Sequence, residues 1–257
     1  MKGFDCSTPL TAAKAKQLYD SGMRFVLRYY SKDGSWKLLT KTEADNILAA
    51  GLQLGAVFER YPERVKEGES AGKEDGLQAL KCAQEVGQPQ GSTIYFAVDF
   101  DAQQGDMEAI ERYLRAIDIP GYEKGVYGSF YVIEEMAKRG VVSHYWQTIG
   151  WSNGRWSKLA NIHQYQIDKE YCEVNVDFNE SFGNEGFWGR EKAEEVEDVK
   201  LELWQWKMLG DALDGLYRKG IISDYTWAEK AYKQELTPDE AVWLQMIMFA
   251  RQNGIQI

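Results

Sequence analysis

Short apolar segments of the kind that form buried strands alternate with helix-like segments over about the first 180 residues of the chain. A strand that is followed by a helix normally returns to a parallel neighbour in the same sheet. Eight such units predict an α/β protein, and more narrowly a parallel (β/α)8 TIM barrel or a close variant of it. The predicted strands are residues 2–5, 24–30, 52–59, 92–101, 124–129, 144–149, 161–166 and 173–179.

The predicted outer layer of helices is incomplete. Residues 40–51 form a complete helical unit, with Thr40 three residues ahead of Glu43 in the spacing of a helix start and Gly51 as the stop. The segment between the sixth and seventh strands, residues 152–160, is short and predicts a loop or a single turn. We therefore expect a modified barrel in which some strands lack an outer helix.

The character of the sequence changes near residue 190. We expect the barrel to occupy residues 1–188 and a small all-helical module to occupy residues 189–257, joined through the acidic run at 191–198. The module has an amphipathic pattern and a clear helix start at Thr237. Two roles are possible for this module. It either docks or targets the protein, with a protein partner, or covers apolar surface of the barrel as a cap.

The charge and the apolar content exclude several classes of partner. The formal net charge is −10, and no lysine- or arginine-rich run is present that could neutralise a series of phosphates. Nucleic acid is therefore not an expected partner. No stretch approaches the length of about 20 apolar residues that spans a bilayer, so no membrane span is expected.

Cysteine and histidine are too scarce to suggest a metal centre or a disulfide framework. The chain has 3 Cys and 2 His, with no CxxC spacing, and we expect neither a cofactor nor a metal. The first residues carry no apolar region of the signal-peptide type. We therefore expect synthesis in the cytoplasm, with release or another export route if the protein acts on the cell wall.

Acidic residues close several of the predicted strands. Because side chains alternate between the two faces of a strand, Asp99 and Asp101 in the predicted strand 92–101 should share the face of Tyr95 and Ala97. If that face points into the barrel, both carboxylates lie at its rim. Three other predicted strands also carry an acid at or near their end, namely Asp5, Glu59 and Asp177. The alternative for any one of these acids is a helix cap or an ion pair, for which Arg28 is a candidate partner.

Carboxylates that cluster repel one another, so at least one should have a raised pKa and hold a proton near neutrality. Glycoside hydrolysis needs such a pair, one carboxyl to protonate the leaving oxygen and another to act as nucleophile, base or electrostatic stabiliser. A site for a hard metal cation is the chemical alternative for the same acids.

Aromatic and amide side chains near the predicted strand ends are suited to bind a sugar, although packing in the core is the alternative for each of them. Residues 145–156 hold the densest run of such side chains. The predicted substrate-binding residues are Arg28, Tyr30, Tyr127, Trp146, Gln147, Trp151 and Gln164.

The segments "GFDCSTP", "GMRFVLRYY", "GSTIYFAVDFD", "YWQTIGWSNGRW", "HQYQ" and "VNVDFN" occur in this order over roughly residues 2–185. Together they closely resemble a glycoside-hydrolase-like domain family, which is itself similar to family 25 glycoside hydrolases, the muramidase-type lysozymes of bacteria and phages. The resemblance implies a modified TIM barrel with its site at the C-terminal rim, in a protein of bacterial cell walls or prophages.

The resemblance also suggests roles for individual acids. In the lysozyme family an Asp-x-Glu motif on the fourth strand supplies the catalytic glutamate, and the matching position here is Asp101, which is one methylene shorter. Asp5 matches the acid of the first strand and Asp177 that of the last. Glu59 is typical of the glycoside-hydrolase-like group and is a longer-reaching proton donor.

The sequence thus favours a lysozyme-like hydrolase that acts on the glycan of peptidoglycan. Asp101 or Glu59 is expected as general acid, Asp99 or Asp5 as the second carboxylate, and Asp177 and Arg28 as residues that orient them. The alternative is a non-catalytic glycan-binding protein that keeps the lysozyme-like cleft.

Overall fold

A computed structural model of the protein describes residues 1–189, 201–253 and 255. The chain divides into two compact units, Met1–Ala193 and Glu194–Ile257. The acidic run at 191–198, predicted as the linker, lies outside the described residues.

Eight strands close into a barrel in their sequence order, as predicted. They are β1 Lys2–Asp5, β2 Phe25–Tyr30, β3 Gln53–Phe58, β4 Thr93–Ala97, β5 Glu123–Gly128, β6 His144–Thr148, β7 Ile162–Tyr171 and β8 Val174–Ser181.

The prediction that all eight strands run parallel is wrong for the last one. Strands β1 to β7 pair in parallel, whereas β8 pairs antiparallel with both β7 and β1. Only two residues separate β7 from β8, which suffices for a hairpin but not for the crossover that a parallel pair requires. Strand β8 therefore starts beyond the rim at which the other strands end and runs back into the barrel.

Helices follow the first five strands. They are α1 Ala12–Asp20, α2 Lys41–Ala50, α3 Glu69–Val86, α4 Met107–Ala116 and α5 Phe130–Lys138. Residues 149–161, between β6 and β7, contain turns and no helix, so the outer layer is incomplete as predicted. Helix α2 starts at the predicted residue, because the Thr40 side chain accepts a hydrogen bond from the Glu43 N–H.

Two apolar layers lie on the two faces of the barrel sheet. The outer layer, between strands and helices, includes Phe4, Val26 and Tyr30. The inner layer fills the barrel, and it consists of Phe25, Leu27, Val57, Tyr95, Ala97, Tyr127, Trp146 and Ile162. Tyr95 and Ala97 thus face the barrel interior, as the alternation of faces predicts.

The segment after β8 crosses the end of the barrel at which the parallel strands begin. Gly186 accepts a hydrogen bond from the Thr93 N–H, and Phe187 stacks on Phe25 with ring centroids 4.7 Å apart. Gly186 has a φ of +70°, and a Cβ there would lie 1.9 Å from the Thr93 hydroxyl oxygen, so the close approach requires glycine. Because this segment covers one end, the other end, where β1 to β7 finish, is the place for a site. We call that end the mouth.

The second unit consists of α6 Leu203–Arg218, α7 Thr226–Tyr232 and α8 Pro238–Gln252. It has its own apolar core, which is formed by Leu213, Ile222, Ala228, Ala231, Leu236 and Leu244. Large apolar side chains also remain exposed on α6 and α8, among them Trp204, Met208, Trp243 and Met246. The predicted docking, targeting or capping role of this unit stays a prediction. No helix within residues 1–189 or 201–253 is both long and apolar enough to cross a bilayer.

Candidate active site

Four carboxylates meet at the mouth, each from a different strand. Asp5 is the last residue of β1, Glu59 directly follows β3, Asp99 lies two residues beyond β4, and Asp177 lies on β8 opposite Asp5. Asp5 is only 2% exposed, whereas the other three are partly exposed. We call this group the carboxylate cluster.

Two amide side chains hold the deepest part of the cluster together. The Gln164 Nε2 group donates to Asp5 Oδ2 at 2.9 Å and to Asp177 Oδ2 at 3.2 Å. Asn179 Nδ2 donates to the same Asp5 oxygen at 2.7 Å. Gln164 is itself fixed, because its Oε1 accepts hydrogen bonds from the hydroxyls of Tyr127 and Thr148. The amide network therefore fixes how Asp5 and Asp177 face each other.

Asp5 holds a proton near neutral pH. Burial raises its pKa from an ordinary value of 3.8 to about 8, and the negative charges of Asp177 and Asp99 act in the same direction. The hydrogen bonds from Gln164 and Asn179 oppose the rise without cancelling it. Burial also raises the pKa of Asp177, but the Asp168 N–H donates to its Oδ1 at 2.8 Å and limits the rise. Since Asp5 is the more buried of the two, it takes the proton and Asp177 stays the ionised partner.

Asp99 titrates close to the physiological range. Burial raises its pKa to about 6, and the charges of Glu59 and Asp177 add to the rise. The Lys37 ammonium and the nearby Tyr127 hydroxyl lower it. Because Asp99 is half-buried rather than enclosed, a ligand in the mouth can reach it.

Glu59 is held differently from the three aspartates. Its carboxylate forms an ion pair with Lys37, and the Lys37 ammonium lies over the ring of Tyr29, 4.6 Å from the ring centroid. Tyr29 belongs to the inner face of β2 and packs against the inner apolar layer. The cluster thus contains two acids with raised pKa values, Asp5 at about 8 and Asp99 at about 6, and general acid catalysis requires a carboxyl with a raised pKa.

The sequence profile of the Rv2525c-like, glycoside hydrolase-like domain matches residues 16–181, well over half of the chain. The chain belongs to this family. The family assignment agrees with the barrel, and the matched residues contain three of the four clustered acids, all except Asp5.

Two proteins of Bacillus subtilis (strain 168) are similar in sequence to this family member. FadG is 29% identical over an alignment of 154 residues that covers 54% of this chain and 27% of FadG. YbfG is 33% identical over an alignment of 162 residues that covers 54% of this chain and 22% of YbfG. The chain therefore matches only about a quarter of the length of these relatives.

Solved structures share the fold. The Tat-secreted protein Rv2525c of Mycobacterium tuberculosis, in complex with L-tartrate, superposes with a TM-score of 0.66 at 24% identity, over 73% of this chain and 98% of that one. GHIP, a glycosyl hydrolase 25 of Streptococcus pneumoniae, superposes with a TM-score of 0.52 at 12% identity, over 74% of this chain and 93% of GHIP. The pneumococcal autolysin LytC, in complex with a synthetic peptidoglycan ligand, superposes with a TM-score of 0.51 at 16% identity, over 69% of this chain and 46% of LytC. The predicted resemblance to the glycoside-hydrolase-like domain and to family 25 lysozymes is confirmed.

Asp101 lies apart from the carboxylate cluster. The predicted strand reached residue 101, but β4 ends at Ala97. Faces alternate only while the chain is extended, so the argument that placed Asp99 and Asp101 side by side fails beyond Ala97. Asp101 is exposed in the following loop, where its backbone carbonyl accepts a hydrogen bond from Gln103.

The structure corrects the placement of Arg28 and Tyr30. Both lie on the outer face of β2 and are fully buried. The guanidinium of Arg28 pairs with Glu43 of α2 rather than with a rim acid, and the Tyr30 hydroxyl donates to Gln88 at 2.7 Å. Neither side chain can touch a ligand in the mouth.

The remaining predicted binding residues divide into two groups. Tyr127, Trp146 and Gln164 face the barrel interior, where the Trp146 Nε1 group donates to Asn179 Oδ1 at 2.8 Å. Gln147 faces outward and is fully buried; it stabilises the turn after β6 through hydrogen bonds with Arg155 and Ser157.

Trp151 is 41% exposed in the turn that follows β6 at the mouth end of the barrel. Trp156, in the same turn, stacks on His163 of β7 with ring centroids 4.4 Å apart. Both side chains are thus exposed, and their predicted role in binding a sugar stays a prediction.

Sequence reasoning missed Asn179 and Lys37. Asn179 lies two residues after Asp177, so the alternation of faces puts both on the same side of β8 and could have identified it. Lys37 lies in the loop 31–40 after β2, and no periodic pattern indicates where a loop side chain points. Among the residues that the structure describes, no group of three or more His, Cys, Asp or Glu side chains is arranged to hold a metal ion.

Proposed function

We propose that this protein is a glycoside hydrolase that cleaves the glycan strands of peptidoglycan. The observation that carries the proposal is the carboxylate cluster at the open end of the barrel, in which the pKa of Asp99 is raised to about 6. A carboxyl with that pKa is partly protonated near neutrality and releases its proton readily, as a general acid must. Membership of the glycoside hydrolase-like family and the shared fold of GHIP and LytC support the choice of reaction and of substrate.

Asp99 is the proposed proton donor to the leaving glycosidic oxygen. This assignment replaces Asp101 and Glu59, because Asp101 is exposed outside the cluster and the Glu59 carboxylate is paired with Lys37. Asp99 combines partial exposure with a raised pKa.

Asp177 is the proposed second carboxylate, which acts as nucleophile, base or electrostatic stabiliser of the oxocarbenium-like transition state. Hydrogen bonds from the Asp168 N–H and from Gln164 hold it in place. Asp5 is too deeply buried to act on a sugar directly. It carries the shared proton and leaves the charge on Asp177.

The exposed aromatic side chains after β6 are the proposed sugar-binding surface. Trp151, in the turn after β6 at the mouth end of the barrel, offers a large apolar face to solvent. Trp156 and Tyr165 are also exposed, but they lie beside the outer face of β7 and β8, where they stack on His163 and Phe178. Aromatic faces of this kind bury the apolar side of a sugar ring at low entropic cost. The cell wall is accordingly the proposed place of action.

A glycan-binding protein without turnover is the second candidate. The observation that favours it is the position of Asp101, the residue that matches the catalytic glutamate of the lysozyme family: it is shorter by one methylene and lies outside the cluster. Against it stand four mutually repelling carboxylates at the mouth, which a pure binding site does not need.

Product chemistry distinguishes the two candidates. Purified peptidoglycan is incubated with wild type and with Asp99→Asn, and the soluble fragments are reduced with borohydride and identified by mass spectrometry. Hydrolysis predicts new reducible sugar ends with wild type only, while both proteins sediment with the insoluble material. Sedimentation without new sugar ends would support the binding protein instead.

A further inference from the structure

Lys37 brings a positive charge into the mouth from the loop 31–40, between β2 and α2. Its side chain is 16% exposed and its ammonium pairs with Glu59, whose side chain is 11% exposed. The same ammonium lies over the Tyr29 ring. The interaction is therefore shielded from water, and its strength exceeds that of a typical surface ion pair.

The backbone around Lys37 is fixed to β2. The Leu39 N–H donates to the Tyr29 carbonyl at 2.8 Å, and Leu38 forms a parallel bridge with Tyr29. Arg28 adds a long hydrogen bond of 3.4 Å to the Lys37 carbonyl. Because the flanking residues are tied to a barrel strand, the ammonium is held at the cluster rather than carried on a free loop.

Asp99 lies among negative charges that come from several elements. Glu59 at the end of β3 and Asp177 on β8 face it, and Asp5 on β1 belongs to the same cluster. The Tyr127 hydroxyl on β5 is a neutral neighbour of Asp99, and it donates its proton to Gln164 at 3.0 Å. Lys37 is the positive charge that opposes these carboxylates at Asp99.

We propose that Lys37 is a positioning residue of the candidate active site, whose ammonium neutralises Glu59 and so lets Asp99 exchange a proton in the neutral range instead of keeping it. The inference rests on the proposed role of Asp99 as proton donor. Lys37 acts through Glu59 and Asp99 and does not itself touch the reacting bond.

Carboxyl NMR titration of the full chain tests this role without any need for turnover. In Lys37→Met the titration midpoint of Asp99 should rise by about one pH unit, the lower end of the shift that a charge within several ångströms produces. Lys37→Arg should restore the wild-type midpoint because it restores the charge. Lys41→Met, which removes an exposed ammonium paired with Asp45 on α2, should leave the midpoint unchanged.

A second variant removes the negative charge that Lys37 neutralises. Glu59→Gln removes the neighbouring carboxylate and leaves the Lys37 ammonium to act on Asp99, so the midpoint should fall. This result can be obtained even if Lys37→Met does not fold. An Asp99 midpoint that is the same in wild type, Lys37→Met and Glu59→Gln would overturn the proposal, as would equal shifts in Lys37→Met and Lys41→Met.

Sugar release provides the linked readout. If the protein is a hydrolase, the pH above which its activity declines should move upward in Lys37→Met by the same amount as the Asp99 midpoint, and return in Lys37→Arg. If the Asp99 midpoint shifts in Lys37→Met but the pH at which activity declines does not, the link between Lys37 and the proton of Asp99 in catalysis would be overturned. A shifted midpoint in a protein that releases no sugar at any pH would contradict the proposed hydrolase and leave the electrostatic role of Lys37 standing.

Discussion

At the scale of single residues, Asp5 illustrates how burial and a neighbouring charge act together. Its carboxyl is the most deeply buried of the carboxylate cluster, accepts hydrogen bonds from two amides and faces Asp177. An ionised Asp5 would place two carboxylates in one poorly solvated space, so the protonated form is favoured. The same residue thus sets the charge of the cluster and carries a cost in stability when the pH rises.

The raised pKa of Asp5 predicts how stability depends on pH. The folded protein holds this proton up to about pH 8, whereas the unfolded chain loses it near 3.8. The contribution of Asp5 to stability is therefore complete below pH 4 and is lost as the pH rises towards 8, with a slope of up to about 1.4 kcal/mol per pH unit. In Asp5→Asn the free energy of unfolding, measured with urea from pH 4 to 9, should fall less steeply than in wild type.

Asp20→Asn is the matched control for this measurement. Asp20 is an exposed aspartate at the end of α1 that pairs with Lys16, and its replacement should leave the slope between pH 4 and 8 unchanged. Parallel curves for wild type and Asp5→Asn would show that Asp5 does not carry the proton.

The sequence predicted the cluster residues better than it predicted the binding residues. Asp5, Glu59, Asp99 and Asp177 converge because strand ends meet at one rim whatever the details of the loops. Arg28 and Tyr30 were misplaced because they flank Tyr29 on the strand, and a shift of one residue moves a side chain to the opposite face. Asp101 was misplaced because sequence alone does not reveal that β4 ends at Ala97.

At the scale of elements, the Arg28 side chain connects the pieces that surround the mouth. It lies on β2, pairs with Glu43 of α2, and donates to the Cys6 carbonyl in the loop after β1. Glu43 also accepts a hydrogen bond from the Leu10 N–H at 2.8 Å. Arg28 is thus a structural anchor for the loops on either side of Asp5, which explains a charged residue in an otherwise apolar strand.

Arg28→Met should destabilise the barrel strongly. Removal of the guanidinium leaves the buried Glu43 carboxylate without its counter-charge, and breaking a buried pair in this way costs about 3–5 kcal/mol. The expected result is a fall of that size in the free energy of unfolding, measured by chemical denaturation. Lys16→Met, which breaks an exposed pair on α1, should change it by less than about 1 kcal/mol. Equal effects of the two variants would contradict the anchoring role.

The antiparallel β8 is the element that sequence reasoning described wrongly. Its residues were recognised as a strand because they alternate in the usual way, but alternation is the same for both directions of pairing. The direction follows from the length of the connection. The six residues between the predicted strands 161–166 and 173–179 are already too few for a parallel crossover, so the antiparallel direction could have been predicted. Asp177 lies at the rim despite the antiparallel direction, because β8 runs past the rim and its Asp177 pairs there with Asp5 at the end of β1.

At the scale of the whole molecule, the two units have separate apolar cores. The core residues of the barrel end at Trp188, and those of the helical unit begin at Leu213. Helices α6 to α8 bury far fewer side chains than the barrel does, and a smaller core gives a lower stability. The chain is therefore expected to unfold in two steps.

Differential scanning calorimetry tests this organisation. The intact chain should show two thermal transitions. Leu213→Ala leaves a cavity in the helical unit and should lower only the midpoint temperature of the transition that belongs to the helices. The matched variant Leu27→Ala, in the inner layer of the barrel, should lower only the midpoint temperature of the barrel transition. A single transition that both variants lower together would show that the units fold as one.

The most direct test of the proposed hydrolase is the rate at which reducing ends are released from peptidoglycan between pH 4 and 9, in wild type, Asp99→Asn and Asp101→Asn. We expect release by wild type that declines as the pH rises through about 6, because Asp99 loses its proton there. Release should be abolished in Asp99→Asn and retained in Asp101→Asn. Undiminished release by Asp99→Asn, or no release by folded wild type at any pH, would contradict the account.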